Sequence, residues 1–198
     1  MLIVVRHGRT EANATGRLLG RLDLPLDELG RRQATALAEA VGPVDRVVSS
    51  PLLRTRQTAE AFVDSSGDIE LDDRFLELDY GTYDGMPLRD VPPEIWQEWR
   101  RDPSFAPPGG ESLLALRSRV ELGLEALSEA ARTTDVVIVT HVSPLKAAVT
   151  WALGVGDDVT WRMRVSPASI SRIAISDGGP SLHTFNEVAH LADVADPV

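Results

Sequence analysis

The chain has 198 residues, of which 43% are hydrophobic and 25% are charged, and its formal net charge is −10. This composition is that of an ordinary globular protein with one full-sized core. The negative charge argues against binding to nucleic acid or to anionic membranes. The absence of cysteine excludes disulfides, thiolate chemistry and zinc–cysteine sites.

The first apolar run, residues 2–5, stops at Arg6 and is too short for the core of a signal peptide. No stretch of the sequence reaches the length of a membrane span. We therefore expect a soluble, cytoplasmic protein. The oligomeric state is left open, with a homodimer as one expectation.

The first predicted strand, residues 2–5, has the apolar character of a buried parallel strand. It leads into Arg6-His7-Gly8, and ligands of open α/β sheets bind beyond the carboxyl ends of strands. A glycine there removes a side chain where another group must approach closely. An arginine beside a histidine suggests an anion with a nucleophile or base, although a lone strand-end histidine is more often structural.

The next elements repeat this strand–helix pattern. The sequence predicts a helix over residues 27–41, capped by Asp27, and a second strand over residues 45–49. Ser50-Pro51 is typical of an N-cap followed by a first helical residue, in a helix that reaches residue 63. Arg54 then lies in the first turn, where the helix N-terminus and the arginine fork would both attract an anion.

The remaining regular elements are predicted from the same signals. They are a turn at residues 65–67, a strand at 69–71, a helix at 112–131, a strand at 135–140, a helix from Ser143-Pro144 to residue 153, and a strand pair at 169–175 and 182–185. The strand at 135–140 ends in His141, as the first strand ends in His7.

Residues 75–110 differ from the rest, because they hold six of the thirteen prolines and six of the ten aromatic residues. This composition predicts an excursion from the core with its own small helix at residues 93–101. Two tryptophans three positions apart share one face of that helix, where packing onto the core is more common than contact with a ligand.

The alternation of strands and helices predicts an α/β protein, a three-layer α/β/α sandwich with a mostly parallel central sheet. The two strand-end histidines and Arg54 then fall at the same edge of the sheet. If these residues had only structural roles, finding all three at one edge of the sheet would be much less expected than finding any one of them there.

Five segments, in order along the chain, resemble the histidine phosphatase superfamily, the phosphoglycerate-mutase-like group. They are RHGRTEAN, SSPLLRTRQTA, ELDYGTYDG, PGGES and VTHVSPLKAA, and the resemblance that they carry spans roughly residues 2–186. The resemblance implies a single domain over residues 1–198 with the phosphoglycerate-mutase-like fold. One departure is Val142, which follows the second histidine where many members carry glycine or asparagine.

The resemblance also implies catalytic roles. By resemblance, His7 is the nucleophile that becomes a phosphohistidine, and Glu77 is the proton donor to the leaving alkoxide. Arg6, Arg54 and His141 match the donors that hold the phosphoryl oxygens. The flanking arginines are expected to disfavour protonation of His7, which keeps a lone pair available for attack.

The substrate contacts are predicted with fewer signals. Asn13 matches a contact of the phosphate pocket, and Arg9 and Thr10 are neighbouring candidates for binding the substrate. The expected partner is a small phosphorylated metabolite, and no metal or other cofactor is implied, since the cations supply the neutralising charge.

The excursion at residues 75–110 is expected to be a lid that selects the leaving group of the substrate. Tyr83, Met86 and Trp96 are the candidates for apolar contacts with its organic part, and the arginines of the excursion could meet a second anionic group.

The superfamily contains phosphatases and mutases. Mutases resemble one another in a longer basic insertion after the glutamate motif, whereas the region here is shorter and mixes acidic with basic residues. The sequence therefore favours a phosphatase over a cofactor-dependent phosphoglycerate mutase. A third interpretation is a catalytically inactive protein that binds phosphorylated ligands. All five expected catalytic positions are filled, which argues against this interpretation.

Overall fold

The computed structural model describes residues 1–64 and 67–194. Its centre is a six-stranded sheet in the order β3-β2-β4-β1-β5-β6. The strands are β1 (Leu2–Arg6), β2 (Arg46–Ser49), β3 (Glu70–Leu71), β4 (Val136–Thr140), β5 (Ile170–Ser176) and β6 (Gly179–Glu187). Strands β1 to β4 pair in parallel, and β5 and β6 pair antiparallel at one side. The predicted mostly parallel sheet is confirmed.

The described residues also form six α-helices. They are α1 (Glu11–Ala14), α2 (Glu28–Val41), α3 (Leu53–Ala59), α4 (Pro93–Arg101), α5 (Leu113–Ala131) and α6 (Val142–Leu153). Within the same residues, no helix has both the length and the apolar character needed to traverse a lipid bilayer.

The core lies on both faces of the sheet, because the side chains of a strand alternate between its faces. Leu2 and Val4 of β1 pack on one face in a cluster with apolar residues of α5 and α6. Ile3 and Val5 pack on the other face with Leu37 of α2. This arrangement confirms the predicted three layers.

Most helix boundaries agree with the sequence signals. Asp27 caps α2 by accepting a hydrogen bond from the backbone N–H of Gly30, and Gly42 ends the helix. Ser112 caps α5 in the same way, and α6 ends at Gly154. The predicted turn at residues 65–67 falls on residues 65 and 66, which lie outside the described residues.

The two predicted Ser-Pro helix starts are wrong. The backbone N–H of Ser50 donates to the carbonyl oxygen of Val139, which extends the sheet ladder, and α3 begins only at Leu53. It ends at Ala59 and is followed by a 3-10 turn, so the helix is shorter than predicted. At the second site α6 begins at Val142, one residue before Ser143.

The excursion at residues 75–110 contains the predicted helix, α4, and three 3-10 turns (Gly81–Tyr83, Leu88–Asp90 and the end of Asp73–Phe75). Its centre is Trp99, which is 1% exposed. Four aromatic rings surround Trp99, with ring centroids 5.2 to 6.1 Å from it; they belong to Tyr80, Tyr83, Trp96 and Phe105. The excursion therefore has an aromatic core of its own, and the packing role expected for Trp99 is confirmed.

Candidate active site

A cavity of about 390 Å³ opens beyond the carboxyl ends of β1 and β4. Arg6 and His7, which end β1, line it together with Glu77 and Asn13. This is the sheet edge that the positions of the histidines predict. With Trp96, five of the candidate site residues therefore share one cavity.

His7 is 3% exposed, and its ring is oriented by the backbone. Its Nδ1 lies 2.7 Å from the carbonyl oxygen of Gly8. A carbonyl oxygen only accepts, so Nδ1 carries the proton and the lone pair is on Nε2. Burial, and then the charges of Arg54 and Arg6, hold the pKa of His7 well below its usual 6.5. The direction agrees with the expected effect of the arginines, although burial contributes more.

Gly8 allows the first turn of α2 to approach the end of β1. A Cβ atom at position 8 would lie 2.3 Å from the carbonyl oxygen of Gly30, and a Cβ atom at position 30 would lie 2.0 Å from the carbonyl oxygen of Arg9. Neither contact is sterically allowed. The expected close approach at Gly8 is confirmed, and its partner is another glycine.

Arg6 is a buried cation with an unused donor. Its Nη1 donates to the carbonyl oxygen of Val165 at 2.7 Å. Its Nε is buried and has no hydrogen-bond partner among the described residues. Burial lowers the pKa of Arg6 to about 10, with the charge of Glu77 acting in the opposite direction. An unpaired buried donor costs about 1–3 kcal/mol, and an oxyanion in the cavity would satisfy it.

His141 and Arg54 form a second, fully buried group beside His7. The rings of His7 and His141 meet edge to face, with centroids 5.2 Å apart. The Nε of Arg54 donates to Nδ1 of His141 at 3.2 Å, so the proton of His141 is on Nε2, which lies 2.8 Å from Oγ of Ser50. Both residues are 0% exposed and lie behind the cavity wall.

Burial lowers the pKa of His141 well below 6.5, and Arg54 and His7 add to this effect. Burial also lowers the pKa of Arg54 to about 10. The two other nitrogens of Arg54 donate to the carbonyl oxygens of Leu22 and Gly20 at 2.8 and 2.7 Å. Arg54 therefore fixes the loop at residues 20–22 as well as the ring of His141.

Glu77 is 3% exposed and lies at the N-terminus of α6. Its Oε2 accepts from the backbone N–H of Val142 at 3.0 Å, and its Oε1 accepts from those of Ser143 and Leu78 at 3.1 and 2.8 Å. The first amides of a helix have no partner within the helix, and they favour a negative charge. This carboxylate explains why α6 begins without a side-chain cap of its own, and it shows that Val142 contributes its backbone N–H whatever its side chain.

The predicted phosphate-pocket residues separate into two groups. Asn13 lines the cavity, and its Oδ1 accepts hydrogen bonds from the backbone N–H and hydroxyl of Thr10, which caps α1. Thr10 is 0% exposed, and Arg9 donates to Asp27 at 2.7 Å. Arg9 and Thr10 are not among the residues that line the cavity, and both position neighbouring helices.

The predicted contacts of the excursion also separate. Trp96 lines the cavity. Tyr83 and Met86 pack in the same cluster around Trp99 as Trp96, but they are not among the residues that line the cavity. The structure therefore brings Trp96 to the site and not the other two residues.

Several residues of the site have no sequence signal that assigns them to it. Ser50 has the pattern of a helix cap, although its place at the end of β2, beside β4, signals proximity to His141. Lys146 and Trp161 line the cavity, and so does Arg17, for which the sequence favours a solvated surface position near the end of the first strand. The helical spacing of Lys146 from Val142 and Ser143 could have revealed it. Across residues 1–64 and 67–194, no group of three or more histidine or acidic side chains could hold a metal ion.

Comparison with known proteins finds relatives over almost the whole chain. The model of the histidine phosphatase superfamily (branch 1) matches residues 2–188. Phosphoserine phosphatase 1 from Hydrogenobacter thermophilus is 33% identical over 199 residues, with 97% of this chain and 94% of that protein covered. The probable phosphoglycerate mutase GpmB from Proteus mirabilis is 31% identical, with 97% of this chain and 95% of that protein covered. Both phosphatases and mutases are therefore among the relatives.

Another relative is longer than this chain. The bifunctional protein Rv2228c from Mycobacterium tuberculosis is 33% identical over 198 residues, which cover 96% of this chain and 54% of that protein. The chain thus spans about half the length of such relatives. Among solved structures, a mutant phosphoserine phosphatase from Entamoeba histolytica in complex with phosphoserine is similar with a TM-score of 0.88 and 25% identity, covering 96% of this chain and 98% of that one. This similarity confirms the predicted fold.

Proposed function

The chain belongs to the histidine phosphatase superfamily, and we propose that it is a metal-independent phosphomonoester hydrolase that acts on small phosphorylated metabolites through a phosphohistidine. The observation that carries the proposal is the pairing of His7 with Arg6. One offers a buried imidazole with its lone pair on Nε2, and the other offers a buried donor without a partner.

The first half of the reaction transfers the phosphoryl group to His7. Nε2 of His7 attacks the phosphorus as the bond from phosphorus to the alcohol oxygen breaks. Arg6 donates to the phosphoryl oxygens, whose charge must be neutralised in such a transfer, and Asn13 offers its amide nitrogen from the cavity wall. Glu77 enters this step as the carboxylic acid, although the amides of α6 favour its carboxylate, and it gives its proton to the leaving alkoxide.

The second half of the reaction regenerates the enzyme. The carboxylate of Glu77 accepts a proton from water, the water oxygen attacks the phosphorus, and the bond from phosphorus to His7 breaks. The backbone hydrogen bonds of Glu77 fix both of its oxygens, which keeps the carboxylate in place for both proton transfers. Inorganic phosphate leaves, and both side chains return to their starting states.

A mutase remains the second candidate, because relatives with that name match nearly the whole chain. The positions of the arginines in the excursion favour the phosphatase. Arg89 is 86% exposed beside Asp90, and Arg101 is 75% exposed and paired with Glu98. Neither of them lines the cavity, and Arg100, which lies over the ring of Trp161, does not line it either. The excursion therefore brings no cluster of cations to a second phosphate in the way that a basic insertion would.

Rapid-quench trapping tests the proposal. A ³²P-labelled phosphomonoester is mixed with enzyme in EDTA and quenched in alkali, in which phosphohistidine survives. We expect a labelled protein that loses its label in acid, and undiminished turnover without metal. His7→Ala should give neither label nor turnover, and His183→Ala, which alters an exposed histidine of β6, should behave as wild type.

Four results would contradict the proposal. Activity that EDTA removes and magnesium restores would indicate a metal mechanism. Label retained by His7→Ala would move the nucleophile to another residue. Binding of phosphomonoesters with no label and no turnover would indicate an inactive binding protein, whereas return of the label to a phosphoglycerate rather than to water would identify a mutase.

A further inference from the structure

Lys146 is the single lysine of the chain, in which the other nineteen basic residues are arginines. It lies on α6 and lines the same cavity as His7. Val142 and Ser143, whose amides hold Glu77, are one helical turn earlier on the same helix. Lys146 therefore extends the wall of the active site by one turn beyond the proton donor.

The ammonium group of Lys146 has no hydrogen bond and no ion pair with any other residue in the described part of the chain. Its Nζ lies 5.9 Å from the centroid of the Trp161 ring. The side chain is half-buried, and burial lowers the pKa of its amine, with the charge of Glu77 acting in the opposite direction. A cation that is partly removed from water and has no hydrogen-bonded anion is unfavourable, so an anionic group of a ligand would stabilise it.

A second cation, Arg17, lines the cavity as well. Its Nη1 donates to the carbonyl oxygen of Gly85 at 3.1 Å, and no carboxylate of the described residues lies within ion-pair distance of it. Arg6, Arg17 and Lys146 thus face one carboxylate, Glu77, which already accepts backbone hydrogen bonds. Together with the buried Arg54, these groups carry a net charge of +3, which is one more than the two negative charges of a phosphomonoester dianion. This local positive charge stands against a net charge of −10 for the chain.

We propose that Lys146 is a specificity-determining residue that binds a carboxylate on the leaving-group part of the substrate, so that phosphomonoesters of small hydroxy acids are preferred to those of neutral alcohols. The inference rests on the proposed function, because the leaving group occupies this cavity only when phosphorus lies at His7. A single ammonium matches a single negative charge, whereas a second phosphate would be better met by arginine forks. The second anion was expected to meet the excursion, but its exposed arginines lie outside the cavity wall.

A matched pair of substrates tests the role of Lys146. 3-Phosphoglycerate and glycerol 3-phosphate differ only in a carboxylate that replaces a hydroxymethyl group. We expect wild type to have the higher kcat/KM on 3-phosphoglycerate. Lys146→Met should lower that value by about 10- to 100-fold, since a hydrogen bond to a charged group contributes about 1.5–3 kcal/mol. The same variant should change kcat/KM on glycerol 3-phosphate by less than about threefold.

Two variants control this comparison. Lys146→Arg keeps the charge and should recover most of the activity on 3-phosphoglycerate. Arg89→Met removes the same charge from an exposed position and should leave both substrates unaffected. Equal losses on both substrates in Lys146→Met, or equal wild-type activity on both, would overturn the proposal.

Chemical labelling separates this proposal from the proposed function. Trinitrobenzenesulfonate modifies amines, and in a chain with one lysine a modified side chain identified by peptide mass must be Lys146. In the His7→Ala variant, which should not consume the ligand, 3-phosphoglycerate should protect Lys146 and glycerol 3-phosphate should not. If 3-phosphoglycerate protects Lys146 but wild type does not hydrolyse it, the proposed hydrolase is refuted and the carboxylate subsite is retained. If wild type hydrolyses it but Lys146 is not selectively protected, the subsite is refuted.

Discussion

The contact between Gly8 and Gly30 predicts that a methyl group distant from the cavity will impair catalysis. In Gly30→Ala the new Cβ would lie 2.0 Å from the carbonyl oxygen of Arg9, and real Cβ contacts essentially never fall below 3.0 Å. The first turn of α2 and the segment after β1 must therefore separate by about 1 Å. That segment carries the carbonyl oxygen of Gly8, which orients the ring of His7.

Two opposite effects decide the stability of Gly30→Ala. Alanine in a helix is favoured over glycine by up to about 1 kcal/mol. Overpacking a close contact costs about 1–3 kcal/mol, and a displacement of the backbone belongs at the upper end. We expect a net loss of about 2 kcal/mol, which lowers Tm by about 4–8 °C in a chain of this size. A displacement of about 1 Å at the nucleophile should lower kcat by about 100-fold.

Thermal unfolding and steady-state hydrolysis of para-nitrophenyl phosphate measure these two effects. Gly178→Ala is the matched control, because its Cβ would meet only Oγ of Ser176 at an ordinary 3.6 Å. It should change neither Tm nor kcat appreciably. A Gly30→Ala enzyme with the Tm and kcat of wild type would show that α2 moves without disturbing His7, and the positioning argument would fail.

Three further predictions concern side chains of the site and the excursion. Glu77→Gln should slow the hydrolysis of alkyl phosphates much more than that of para-nitrophenyl phosphate, whose leaving group needs no proton; equal losses would make Glu77 structural. His7 and His141 have pKa values below 6.5 in the folded state, so unfolding takes up protons below that pH and the free energy of unfolding should fall from pH 7 to pH 5. In His141→Gln the free energy of unfolding should depend less steeply on pH, because up to one proton fewer is taken up on unfolding. If urea titrations at several pH values give the same pH dependence as wild type, the buried neutral ring of His141 is contradicted. Trp96→Ala should reorder substrates by kcat/KM, whereas Tyr83→Ala should lower Tm and leave the order unchanged; the reverse result would return Tyr83 to the substrate.

The elements that the sequence predicted correctly are those with local causes. The strand at residues 2–5 is a run of apolar residues that fits only a strand covered on both faces, and β1 is buried along its whole length. The helix at residues 27–41 begins at an aspartate whose side chain accepts from Gly30, and it ends at Gly42 with a positive φ of 79°. A residue and its near neighbours suffice for such predictions.

The wrong predictions occur where a residue with a local helix-cap pattern instead bonds to a residue that is distant in the sequence. Ser50 has the pattern of an N-cap, but its hydroxyl contacts His141, 91 positions away. Ser143 has the same pattern, but the carboxylate of Glu77, 66 positions away, accepts its N–H. Glu77 takes the place of the cap at α6, whereas Ser50 continues the sheet and α3 begins three residues later. No rule about neighbouring residues could show either outcome. Lys146 has no local signal of its place in the site, since a lysine in a helix is ordinarily on the surface.

The two strand-end histidines differ in the ring nitrogen that carries the proton, and the sequence does not show this difference. Both follow a buried strand, and both are neutral because burial and nearby arginines lower the pKa of each ring. Their neighbours give them opposite roles. The carbonyl oxygen of Gly8 places the proton of His7 on Nδ1, whereas Nε of Arg54 donates to Nδ1 of His141 and leaves its proton on Nε2. The ring of His7 thus has a lone pair at Nε2 beside the cavity, whereas the Nε2 proton of His141 is directed at Oγ of Ser50. Under the proposed mechanism only the first ring is placed to attack phosphorus. An Arg54 variant that no longer donates to His141 would leave the tautomer of that ring unfixed.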